Sequence, residues 1–199
     1  METSASICKF WFGDSSDDAV TAAEHSKLWW SKQPEVDAQM RARFESTLLQ
    51  AAAGDHDDWS DTPHGTLALI LLSDQFSRNM YRETPRSFAF DEFARSHAAA
   101  GIARGDDQAL RPIERVFFYM PFEHGESMAH QDRAMELFTG LFGSAPDAQK
   151  ELFRGFVDFA ERHHRIVARF GRFPHRNAVL GRASTDEEIA FLKEPGSSF

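Results

Sequence analysis

The sequence predicts an all-α protein. Apolar residues recur at i, i+3 and i+4 through most of the chain, and no stretch alternates apolar and polar residues as a strand does. Helix start and stop signals punctuate the chain, leaving mostly short connections between periodic segments. Helices joined by short connections pack as antiparallel hairpins. The expected architecture is therefore a stack of such hairpins, either a short solenoid or a compact bundle, in a single domain covering residues 1–199. A chain of this length buries roughly 70% of its unfolded surface and builds a core without disulfide or metal staples.

The elements follow in order. A short aromatic element, Ile7 to Phe12, precedes a loop at Gly13 to Ser16, and a first helix ends near Trp29 and Trp30. Pro34 opens a helix to Ala53, with Val36, Met40, Phe44 and Leu48 at i, i+4 spacing and Gly54 beyond its end. Asp55 to Asp61 is an acidic connector, after which Thr62 and Pro63 form an N-cap and first-turn proline. Thr84 and Pro85 repeat that signal for a helix to Arg104, closed by Gly105. Pro112 begins a short helix, Ile113 to Met120, which Pro121 is expected to interrupt or kink. Further helices are expected from Glu126 to Phe142 and from Pro146 to Phe170, the second stopped by Gly171. Thr185 and Glu188 match a capping box for a last helix, Asp186 to Lys193.

Composition narrows the function. A net charge of -9 argues against nucleic-acid and anionic-membrane binding, which require an extended basic surface. The segment from Arg154 to Arg182 is nonetheless rich in Arg and His, so a local positive patch is expected there. Cys8 is the single cysteine, which rules out an internal disulfide and points to a reducing, cytoplasmic setting. Met1 to Asp14 lacks a signal-peptide pattern, and the longest apolar run, Leu67 to Leu72, falls far short of the roughly 20 residues of a membrane span. No phosphate-binding Gly-rich loop, dinucleotide fingerprint, nucleophile elbow or His-Glu-x-x-His element is present, and no cofactor is expected.

Three segments carry candidate chemistry. The helix from Leu67 to Arg82 begins apolar on every side and then places Asp74, Gln75, Arg78 and Arg82 on the face that Leu67 and Leu71 opened, with Asn79 beside them. Buried charges require partners. The segment is either an internal polar network, with Asp74–Arg78 and Gln75–Asn79 pairs at i, i+4, or the wall of a ligand cavity. The second segment, Phe117 to Glu126, sets Glu123, His124 and Glu126 just past Pro121 in aromatic surroundings; these residues are either acid–base groups or charges at a helix start. The third runs from His163 to Asn177. It puts His163 on an apolar helical face and clusters Arg172, His175, Arg176 and Asn177 around Phe173 and Pro174, a candidate rigid anion-binding corner.

Glu123, His124 and His163 are the catalytic candidates. Asp74, Gln75, Arg78, Asn79, Arg82, Glu126, Arg172, His175, Arg176 and Asn177 are the ligand-binding candidates. His124, His163 and His175 with Glu123 or Glu126 have the donor types for zinc or iron, but only one Glu-x-x-His element, Glu161 to His164, is present where di-iron bundles need two, and no metal site is assigned.

Taken together, Phe10-Trp11-Phe12-Gly13, Asp74-Gln75-Phe76-Ser77-Arg78-Asn79, Pro121-Phe122-Glu123-His124 and Arg169-Phe170-Gly171-Arg172-Phe173-Pro174-His175-Arg176-Asn177 resemble the bacterial family of domain of unknown function 924, as does the ending Glu194 to Phe199. The resemblance implies an all-helical, tetratricopeptide-like fold and no established activity, and it supplies no catalytic residues. The 34-residue consensus of true tetratricopeptide repeats is missing from this chain. Three functions follow. The first is a soluble binding protein whose polar, Arg- and His-containing cleft takes a small anionic ligand or an acidic peptide end. The second is a metal-dependent or acid–base hydrolase-type enzyme using Glu123 and the histidines. The third is a protein-interaction scaffold with a hydrophobic groove. The sequence leaves the oligomeric state open.

Overall fold

Nine helices carry the fold in a computed structural model that describes residues 2–198, and no strand occurs among them. They are α1 (Ser4–Phe12), α2 (Asp18–Trp30), α3 (Pro34–Ala52), α4 (63–80), α5 (Asp91–Arg104), α6 (Pro112–Glu123), α7 (Met128–Ser144), α8 (Lys150–Phe170) and α9 (Asp186–Phe191). Phe199, the last residue of the family-like ending, lies outside the described residues.

Most starts follow the expected chemistry. The Thr62 side chain accepts from the Gly65 amide at the head of α4, and Thr185 and Glu188 form a reciprocal capping box at α9. Gly105 and Gly171 close α5 and α8 in the left-handed region that only glycine enters without strain. The aromatic start of the chain is itself a helix, because Thr3 and Ser6 cap it reciprocally. Thr84–Pro85 opens only a 3-10 turn, Pro85–Phe88, and α5 begins later, at Asp91. Pro121 does not interrupt α6. The helix runs on to Glu123, so Glu123 lies at a helix end and not at a helix start.

Helix α4 is the hub, touched by α1, α3, α5 and α6, while α6, α7 and α8 pack on one another in succession. A strict solenoid unit meets only its neighbours. Contacts from four helices explain why α4 is apolar all round at Leu67 to Leu72. The core around it is aromatic: Trp11, Phe44, Phe76 and Phe117 are fully buried, and Trp29 donates its indole N–H to the Trp11 carbonyl at 2.9 Å. Gly101 lets α5 approach α6, since a Cβ there would fall 2.6 Å from the Phe118 ring. Beyond α8, residues 171–198 fold back through a smaller apolar cluster of Ile166, Val167, Phe173 and Phe191.

Candidate functional site

Helix α4 changes its winding where its charges begin. It is α-helical over Pro63–Ile70, π-helical over Leu71–Phe76 and α-helical again over Ser77–Met80. A π turn inserts an extra residue per turn, so a wheel drawn at a constant helical angle fails beyond Leu71. Asp74 and Gln75 therefore both face inward. The expected Gln75–Asn79 pair is not formed: Gln75 Nε2 donates to Asp74 Oδ2 at 2.6 Å, while Asn79 Nδ2 lies 3.5 Å from Met40 Sδ.

Asp74 is wholly buried and is held on several sides. Arg78 Nη1 sits 3.1 Å from Oδ1, as i, i+4 spacing predicts, and His124 Nδ1 lies 2.7 Å from the same oxygen. Burial alone would raise this carboxyl, but Arg78 and His124 hold it well below the usual carboxylate range. Arg78 in turn grips Asp91 through two bonds of 2.9 and 3.2 Å. Burial would lower the Arg78 guanidinium, and Asp74 with Asp91 more than offset that.

The end of α6 supplies the second element. Glu123, at the negative pole of its helix and nearly buried, has His163 Nδ1 of α8 2.8 Å from its Oε1. His124 and His163 are neighbours, with ring centroids 6.2 Å apart. Burial and Arg78 lower the His124 pKa, with Asp74 opposing them in part. The lowered pKa favours the neutral ring, and in that ring a deprotonated Asp74 accepts from Nδ1.

The third element is the turn after α8. His163 packs edge-on against Phe173, which in turn contacts His175. Arg176 is buried between the faces of Phe88 and Phe173, with Cζ at 4.6 and 4.5 Å from the two centroids. Its closest carboxylate, Asp91, is 3.6 Å away, and its buried Nε has no hydrogen-bond partner. Burial and Arg78 lower the Arg176 pKa to about 10. Burial, Arg176 and His163 push His175 down to about 3.

Asp74, Gln75, Arg78, Glu123, His124, His163, His175 and Arg176 are thereby linked in one polar cluster. Other candidates fall outside it. Arg82 is engaged by Asp37 of α3 at 2.8 and 3.1 Å, and Arg172 forks onto Glu188 at 2.7 and 2.8 Å near the surface. Neither makes a hydrogen bond to the cluster. Asn177 bonds Ser184, Glu188 and Arg182 within the C-terminal segment. Glu126 ties that segment to the body: it accepts two bonds from Arg182, at 2.6 and 2.9 Å, and the Phe173 amide at 2.8 Å.

The cluster is a filled polar interior and not an open cleft. Its rim is narrow, with side-chain exposure of 18% at Arg78, 16% at Asp91 and 15% at His124. Two surface depressions of about 280 Å³ lie elsewhere, one flanked by Arg115, Tyr119 and Arg133 and one by Glu161 and His164. Among the described residues no three His, Cys, Asp or Glu side chains are placed to hold a metal ion. Sequence reasoning missed Asp91 and the aromatic clamp of Phe88 and Phe173. A signal existed: two arginines at buried positions need more carboxylate than Asp74 supplies.

The fold and site define an all-helical bundle with a buried network of carboxylates, arginines and histidines at one end of its hub helix. A family model for a bacterial protein of unknown function, DUF924, matches residues 7–196, and the chain belongs to that family. The chain is also similar to a protein of unknown function, ATU0120, from Agrobacterium tumefaciens. The two are 37% identical, with 96% of each chain covered and a TM-score of 0.81. No curated protein matches. Among the described residues, no helix is long and apolar enough to cross a membrane.

Proposed function

We propose that this chain binds a small anionic molecule at the rim of the buried cluster, with Arg176 as its principal cation. The supporting observation is the state of Arg176. It is a buried guanidinium held by two aromatic faces, with its nearest carboxylate beyond hydrogen-bond distance and an Nε that donates to nothing. Leaving such a donor unsatisfied costs about 1–3 kcal/mol; Nε itself is enclosed, and a carboxylate or phosphate oxygen reaching the outer edge of the guanidinium would supply the charge partner that Asp91, at 3.6 Å, does not. The local field favours the same ligand, because Arg78 and Arg176 both depress the basicity of neighbouring histidines.

Arg78 contributes charge more than donors, since Asp74 and Asp91 already occupy much of its fork. Gln75, close to Met120 Sδ, and His175 complete the surroundings. The lone cysteine, buried and with its thiol pushed up to about 12 by burial and by Glu114, is unreactive and fits a reducing, cytoplasmic setting. A thermal-shift panel of small dicarboxylates and phosphomonoesters tests the proposal. Saturation at about 100 Kd adds roughly 2.7 kcal/mol, a rise of about 5–11 °C in a chain of this size. Arg176→Lys, which keeps the charge and removes the planar fork, should lose most of that rise. An equal rise in the variant would overturn the assignment of Arg176.

A further inference from the structure

We infer that His124 Nε2 is the proton acceptor of this site, so that the molecule bound there is a substrate from which His124 takes a proton. The inference rests on the proposed anion site and adds a chemical step to it. Three observations meet at this ring. Asp74 Oδ1, 2.7 Å from Nδ1, fixes the imidazole from the buried side, and Asp74 is itself immobilised by Arg78 and Gln75. A neutral ring that donates through Nδ1 has its lone pair on Nε2. That nitrogen makes no hydrogen bond within the described residues, and the side chain keeps some exposure at the rim. One nitrogen clamped inside and the other without a hydrogen bond, on a side chain that keeps some exposure beside Arg78, is the arrangement of an oriented general base.

The second observation concerns α4. Its π turn places Asp74 and Gln75 on the inside of a helix that could otherwise continue apolar, and such turns are rare and frequently found at functional sites. The third is the set of groups around His124: Asp74 and Arg78 from α4, Glu123 from its own helix, His163 from α8 and His175 from the C-terminal turn, with Arg176 beyond them acting on Arg78 and Asp91. They provide a carboxylate to offset the imidazolium and guanidiniums to offset charge left on the substrate.

The substrate class is a small anion with an acidic O–H or C–H within reach of its anionic group. The X–H bond breaks with its electron pair retained on X, the proton forms a new Nε2–H bond, and Asp74 balances the imidazolium. The charge on X is met by Arg176, and the proton returns to the product or leaves through the exposed edge. Asp74 is a positioning residue in this scheme, and Arg176 binds.

The test reads the ring directly. Long-range 1H–15N correlation spectra of 15N-histidine-labelled protein at pH 7 should show His124 neutral with hydrogen on Nδ1, and Asp74→Asn should yield a mixture of tautomers. Diethyl pyrocarbonate labelling mapped by mass spectrometry should modify His124 in the folded protein, and saturating oxalate should slow that labelling about tenfold in wild type but not in Arg176→Lys. A charged ring, an Nε2–H tautomer or an unlabelled His124 in folded protein overturns the inference. If oxalate neither binds nor protects, the anion site fails, while the ligand-free tautomer measurement still decides the base.

Discussion

The half-buried His175 of the C-terminal turn makes the acid stability of this protein predictable in sign and size. His175 titrates near 6.5 in the unfolded chain and at about 3 in the fold, where burial, Arg176 and His163 disfavour its charged form. Above pH 6.5 the ring is neutral in both states and contributes nothing. Below that value the unfolded chain takes up a proton that the folded chain refuses, so stability falls as pH drops, down to about pH 3. At pH 5 the loss from this residue is about 1.36 kcal/mol multiplied by roughly 1.5 pH units, or ~2 kcal/mol. His124, lowered in the same direction, adds to it. The depressed carboxylates Asp74 and Glu126 lose their contribution as pH falls through the ordinary carboxylate range and below it, at lower pH than His175. Urea unfolding of wild type and His175→Gln at pH 7 and pH 5 isolates the effect, because packing losses appear at both values and cancel in the difference. The variant should lose about 2 kcal/mol less than wild type between the two pH values. An identical loss would refute the neutral assignment of His175.

Other perturbations have equally direct outcomes. Asp74→Asn removes the charge shared by Arg78 and His124 and should cost about 3–5 kcal/mol by urea titration; a change under about 1 kcal/mol would mean the pair is solvated. Arg182→Ala cuts the bonds that join the C-terminal segment to Glu126, and with charge-assisted bonds worth roughly 1.5–3 kcal/mol it should raise amide exchange selectively over residues 171–198, leaving α4 and α6 protected. Gly101→Ala drives a methyl into the Phe118 ring and should cost about 1–3 kcal/mol, visible as a lowered Tm. Phe76→Ala, at the aromatic centre of the hub helix, should cost about 3–5 kcal/mol.

Most helices were legible because their signals are local. Thr62 with Pro63, the Thr185–Glu188 box and the closing glycines at 105 and 171 act within one turn of the residues they control. The failures share a cause in tertiary contact. Pro121 continues its helix within an aromatic core that packs α6 from several sides, where a local rule expects a break. The π turn at Leu71–Phe76 has no sequence signature, and it is why Asn79 meets Met40 and not Gln75, and why Arg82 does not share the face of Asp74 as a constant wheel predicts. Convergence of Asp74, His124, His163 and Arg176 could be suspected from residue types but not from spacing, since the four come from distant segments. Asp91 was invisible because the sequence places it a turn inside a helix opening at Pro85, whereas the structure starts α5 at Asp91 itself.

The account turns on Arg176 as an anion-binding guanidinium beside a neutral, Nε2-open His124. Isothermal titration of wild type and Arg176→Lys with the best anion from the thermal-shift panel tests it most directly. Wild type should bind one equivalent, with affinity reduced at least tenfold in the variant, about 1.4 kcal/mol, while His124→Gln leaves binding within a few-fold. Binding that is unchanged in Arg176→Lys would contradict the account.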